Sequence, residues 1–138
     1  MSIDTWQASP GQTEPDQAAP GPAPQAHPTA TSAQHAARLL SEYPERDWRL
    51  HDLAALVHLS TSQLGRTFSQ CFGMPPMRYL THVRAYRLAQ LLTETDLPIG
   101  VAMTQVGWSS RGHAARQFTA IIGAGPSDYR RAATTQAP

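Results

Sequence analysis

The sequence predicts an all-α chain of seven helices, and three observations carry that prediction. From residue 32 onward the apolar residues recur with a helical period, and no stretch alternates as a half-buried strand would. Ser, Pro and Gly punctuate these stretches where helices start and stop. One phrase is also written twice. "RTFSQCFGMPPMRY" begins at Arg66 and "RQFTAIIGAGPSDY" begins at Arg116. Each reads Arg-x-Phe, three residues, an apolar residue, Gly, two residues, Pro, two residues, Tyr.

Ahead of these helices, residues 1–31 are rich in Pro, Ala, Gln and Gly, with Ile3 and Trp6 as the bulky apolar residues. Such a stretch buries too little surface to offset its ordering entropy, so it is expected to be a disordered tail. The folded domain is then expected over 32–133, followed by a short tail at 134–138. Ser32 is a cap for the first helix, whose inner stripe is Ala36, Leu39, Leu40 and Tyr43, and Pro44 stops it. "LHDLAALVHL" gives a short second helix with Leu50, Leu53, Ala54 and Val57 inward. Ser60 caps the third, which ends at Gly73.

Pro75 or Pro76 opens the fourth and longest helix, at about 75–93. Its stripe is Leu80, Val83, Leu88, Leu91 and Leu92, and its length is roughly 27 Å at 1.5 Å per residue. "LPIGVAMTQV" is the fifth helix, closed by Gly107. Ser109 or Ser110 caps the sixth, which ends at Gly123. Pro126 opens a seventh that carries Tyr129.

The repeat falls on the second half of a larger unit: short helix, tight turn, second helix. The turn is "HLS" in the first unit (about 50–73) and "GWSS" in the second (about 98–123). This is a helix-turn-helix layout, written twice. Phe68 points inward with Leu64, Cys71 and Phe72. Arg66 lies about 160° away on the opposite face, with Ser62, Ser69 and Gln70 near it. In the sixth helix Phe118, Ala114 and Ile122 face in, and Arg116 faces out beside Gly112, His113 and Ala120. The repeat therefore preserves an inner Phe that seats the helix and an outer Arg two residues before it.

Charge agrees with an outward-facing role. The 138 residues hold eleven Lys+Arg, all arginine, and ten acids, for a net of +1. Residues 1–31 hold three acids and no Arg, whereas 60–131 hold eight Arg and three acids, a net of +5. A basic segment with two outward arginines points to a polyanion. Two probes joined by one long helix match successive major-groove faces, about 34 Å apart. No apolar run approaches the ~18 residues of a membrane span. The six histidines show no metal-ligand spacing and no polar constellation has catalytic spacing, so neither a metal, a cofactor nor an enzyme activity is expected. The start lacks a secretory signal, and the single Cys71 suits a reducing cytoplasm.

The motifs "LHDLA", "LSTSQLGRTF", "RAYRLAQLL", "TDLPI", "VGWSS", "RQF" and "GAGPSDYR", with Gly73 and Tyr79 at their places, occur in order over 36–131. In them the chain resembles the DNA-binding domain of AraC/XylS-type transcription regulators. The resemblance implies two helix-turn-helix units on one linker helix, with the third helix (Thr61–Phe72) and the sixth (110–122) entering adjacent major-groove segments of double-stranded DNA. The site residues implied are Thr61, Ser62, Gly65, Arg66, Ser69 and Gln70 in the first unit. In the second they are Ser110, Arg111, Gly112, His113 and Arg116.

Arg66 and Arg116 are expected at guanine or phosphate, Arg111 at phosphate, and Ser69 and Gln70 at phosphate. Arg84 and Arg87 on the linker helix are expected to pair with acids or helix ends. Trp48 and Trp108 are expected to anchor the core.

The chain departs from the family at Ala102-Met103, where the large and small residues are reversed, at Ala114, where a larger residue is usual, and at Gly125. The first two make the second unit the weaker candidate, with Met103 expected to fill space beside Ala114. No effector pocket is expected in so short a chain. The rival reading is a degenerate member that acts as a protein-interaction module, with RNA polymerase or another regulator as its partner.

Overall fold

The computed structural model describes residues 22–136. Seven helices follow one another: α1 (Pro22–Glu42), α2 (Leu50–Leu56), α3 (Thr61–Phe72), α4 (Pro76–Glu94), α5 (Ile99–Gln105), α6 (Arg111–Ile122) and α7 (Pro126–Gln136). Among the described residues there is no strand, and no helix is long and apolar enough to cross a membrane.

The helices build two hydrophobic cores that share α4. The first gathers Ala33, Ala36, Ala37 and Leu40 of α1, Leu53, Ala54 and Val57 around α2, Leu64 and Phe68 of α3, and Leu80 of α4. The second gathers Ala85, Leu88, Ala89 and Leu92 further along α4, with Ala102, Met103, Val106, Trp108, Ala114 and Phe118. Thus α4 closes the first unit with its N-terminal half and opens the second with its C-terminal half. Its apolar residues wind around the helix because they serve two cores on different sides. Each unit is a four-helix cluster, α1–α4 and α4–α7, with the shared helix counted in both.

Arginine forks lock each cluster. Arg84 Nε donates to the Pro44 carbonyl and its Nη2 to the Arg46 carbonyl, both at 2.9 Å. Arg87 Nη2 donates to the Ser41 carbonyl at 2.7 Å. These two therefore tie α4 to the end of α1, as expected of helix-end partners. The second unit repeats the device with Arg130 of α7. Its Nε reaches the Leu92 carbonyl at 3.1 Å and its Nη2 the Thr95 carbonyl at 3.2 Å, at the end of α4. Orphan carbonyls at helix ends need donors, and a planar fork meets two at once.

Four expectations need correction. Ser32 is not a cap: α1 already runs from Pro22, so 22–31 of the expected tail belong to a helix, while the expectation for 1–21 lies outside the described residues. Composition hid this because alanine scores as a weak apolar residue yet is the best helix former. At the other end α7 takes in 134–136 of the expected C-terminal tail, and 137–138 lie outside the described residues.

Tyr43 is exposed, because it follows the last residue of α1 and the helical stripe no longer applies. Its ring instead carries the Arg46 guanidinium at 4.7 Å. Cys71 is also exposed. It sits about 60° off the Phe68 direction, at the edge of the buried stripe. Partial burial still pushes its thiol above the usual range. Trp108 is a core residue as expected, and Trp48, half-buried, packs against the first core while donating Nε1 to the Tyr43 carbonyl at 2.8 Å.

Candidate nucleic-acid interface

Each unit presents its second helix, α3 or α6, by the same local chemistry. The short helix before it ends in a left-handed residue, His58 (φ 62) or Gly107 (φ 108). Two bonds close each turn. Leu59 N donates to Ala54 O and His58 N to Ala55 O; Trp108 N donates to Met103 O and Gly107 N to Thr104 O. This Schellman arrangement satisfies the last carbonyls and turns the chain at once into the next helix.

The presented helices then start on serine caps. Ser60 Oγ accepts from Gln63 N at 3.1 Å, and Gln63 Oε1 accepts from Ser60 N at 3.0 Å, a full capping box. Ser110 Oγ accepts from His113 N at 3.2 Å. Both helices end on left-handed glycines, Gly73 (φ 77) and Gly123 (φ 98). Leu64 and Phe68 bury the inner face of α3, and Ala114 and Phe118 that of α6.

The opposite faces carry the expected site residues. On α3, Thr61, Ser62, Arg66 and Gln70 are exposed, and Gly65 and Ser69 are half-buried. Gly65 has open space where a side chain would stand. On the second unit Ser110, Arg111, Gly112, His113 and Arg116 are all exposed. Ser110 is the cap of α6 and not part of its body. Gly112 leaves room for Arg116, whose Nη1 lies 3.4 Å from where a Gly112 Cβ would be. Arg111 lies back across Gly100 of α5, its Cζ 3.2 Å from the corresponding point there. His113 also borders an open cleft between the units, about 520 Å³ in volume, together with Glu45, Asp47, Thr81 and Arg84.

The electrostatics of these faces are one-sided. Neither α3 nor α6 contains an acid. Among the described residues, Arg66, Arg78, Arg111 and Arg116 donate to no acid or carbonyl, whereas Arg84, Arg87 and Arg130 are committed to helix ends and Arg131 to Asp128 at 2.8 Å. Arg78 was not singled out from the sequence. It stands on the first turn of α4, exposed, beside a shallow cleft shared with His82, Gln117 and Ala120. Its signal was its place two residues after Pro76, in the paired phrase itself.

The fold of two such units on one helix has known counterparts. A family model described as a helix-turn-helix domain matches residues 53–132. A transcriptional regulator with an AraC-type DNA-binding domain from Chromobacterium violaceum superposes with a TM-score of 0.68 at 26% identity, over 83% of this chain and 99% of that one. The chain belongs to the AraC-type helix-turn-helix family.

A relative from Haemophilus influenzae, named as an uncharacterised HTH-type transcriptional regulator, is 33% identical over 90 residues, 65% of this chain and 30% of its own. The RCS-specific transcriptional activator RclR of Escherichia coli is 29% identical over 97 residues, 70% of this chain and 34% of its own. The chain thus spans about a third of the length of these curated relatives. Its AraC-type helices α3 and α6 are the second helices of the two units.

Proposed function

We propose that the chain is a DNA-binding transcription regulator in which α3 and α6 read adjacent major-groove segments on one face of a duplex. The observation that carries this is the duplicated presentation. Two acid-free helices, each capped by serine and stopped by a left-handed glycine, turn an unpaired arginine outward at matching positions, Arg66 and Arg116. The names of its relatives as transcriptional regulators support the same reading.

In this reading Arg66 and Arg116 supply bidentate contacts to guanine edges or phosphate. The open backbone at Gly65 and Gly112 lets the helices approach closely, so few side chains discriminate bases. Ser62 and His113 stand beside these glycines where bases are read, the positive N-termini of α3 and α6 with Thr61 and Ser110 face phosphates, and Arg78 and Arg111 add charge there. Ser69 and Gln70 reach the backbone on the far side of α3. No step calls for a cofactor, a metal or catalytic chemistry, and the place of action is the bacterial cytoplasm.

The test is a mobility shift against genomic fragments at several salt concentrations. Four to six cations near phosphates give a slope of log K on log salt of roughly −4 to −5. Binding that ignores salt, or no binding at all, hands the chain to the protein-interaction reading.

A further inference from the structure

The two units touch at a joint beside the middle of α4. The principal helix packings lie within one unit or run onto α4. The direct meeting point is where the α1–α2 loop of the first unit lies against the α5–α6 turn of the second. There Arg84, near the middle of α4, holds the loop by its Pro44 and Arg46 carbonyls. On its other side it abuts Gly107. A Cβ on Gly107 would stand 2.3 Å from the Pro44 carbonyl oxygen, 2.7 Å from Arg84 Nε and 2.9 Å from Nη2.

The comparison with the first unit shows that this closeness is a property of the joint. The equivalent turn residue there is His58, which keeps a side chain in a left-handed conformation. His58 stands at φ 62, where a side chain is tolerated, whereas Gly107 at φ 108 favours glycine by its backbone alone, and the Pro44 carbonyl of the other unit also leaves no room for a Cβ.

We infer that Arg84 is a positioning residue: with Gly107 and Pro44 it locks the angle between the two helix-turn-helix units, and so sets which spacing of half-sites the chain accepts. This rests on the DNA reading above. Three features support the lock. Its bonds go to fixed backbone carbonyls and not to mobile carboxylates. The guanidinium is half-buried, and desolvation lowers its pKa while Asp47 opposes that, as for a cation held inside a joint. The planar fork meets two carbonyls at once, which resists twisting as well as separation.

A single helix through both cores can still bend or roll between them. Rigid linkage matters because the second unit binds at an effective concentration that collapses when geometry is lost.

The experiment uses the full chain as wild type, Arg84→Met and Arg84→Lys. Met keeps the stem and removes the fork; Lys restores one donor. Residual dipolar couplings report whether the two units share one alignment tensor. Binding titrations use sites whose half-sites are moved apart by about one and two base pairs, and a lone half-site.

For the wild type we expect one tensor and a sharp spacing optimum. In Arg84→Met the tensors separate, affinity at the optimal spacing falls by about tenfold, the shifted sites lose nothing, and the lone half-site binds as before. Arg84→Lys falls between. An Arg84→Met chain that keeps one tensor, or keeps the sharp optimum while merely melting lower, overturns the inference. A wild type that binds no fragment sinks the DNA reading and the spacing role with it, while the tensors still decide whether Arg84 locks the units.

Discussion

The first unit and the second solve one folding problem with different residues. The first seats α3 on an aromatic cluster: Phe68 meets Phe72 at 4.6 Å and Tyr79 at 5.3 Å, and Phe72 meets Tyr79 at 5.5 Å. The second seats α6 on one aromatic pair, Phe118 with Tyr129 at 5.6 Å, and puts Ile122 where Phe72 stands. It compensates at the turn. Trp108 is buried where the first unit has a half-buried Leu59. Trp108 also shares its core with Met103 and Ala114, so bulk moves from the helix-turn-helix core residues onto the turn. The repeat thus fixes directions, an inner Phe and an outer Arg, while the filling is interchangeable.

Removing the aromatic seats should have the largest effect. Phe68→Ala and Phe118→Ala should each cost about 3–5 kcal/mol in denaturant unfolding, with Phe68→Ala the larger because it empties a three-ring cluster. Equal costs would mean that the aromatic cluster contributes nothing beyond volume.

The caps come next. Ser60→Ala breaks a reciprocal box and should cost about 1–2 kcal/mol, whereas Ser110→Ala breaks one bond and should cost about 0.5–1 kcal/mol. Thermal melts of both, with Gln63→Ala as the control that removes half the box, check the order. Smallest is the turn. His58→Gly should stabilise the first unit by about 0.5 kcal/mol, since left-handed strain is relieved against the added freedom of glycine. The same melts read it, and a loss of stability would show that the His58 ring makes a contact worth more than the strain.

Much of this was legible in the sequence, for local reasons. The seven helices, the serine caps at Ser60 and Ser110, the stop glycines and the outward arginines all follow from residues within a few positions of each other. Trp108 and Met103 were recognisable as core filling. What escaped depended on distance along the chain. Arg130 bonds carbonyls 35 and 38 residues away, and the closeness of Gly107 to Pro44 spans both units, so no periodicity announces either. Arg84 could be expected at helix ends, but not as the piece between two units. Cys71 and Tyr43 were misplaced because each sits at the margin of a stripe, where a small angular error changes inside to outside.

In the proposed reading the two arginines probe separate places on one site. Titrating Arg66→Ala and Arg116→Ala at fixed salt against operator sites scanned base by base tests it most directly. Each loss should cost about 1–3 kcal/mol of binding and relax preference at its own position, with Arg66→Ala the costlier. The two relaxed positions should lie about one helical turn, ~10 base pairs, apart. If Arg116→Ala changes neither affinity nor preference while Arg66→Ala abolishes binding, the second unit does not read DNA and the two-probe account is contradicted.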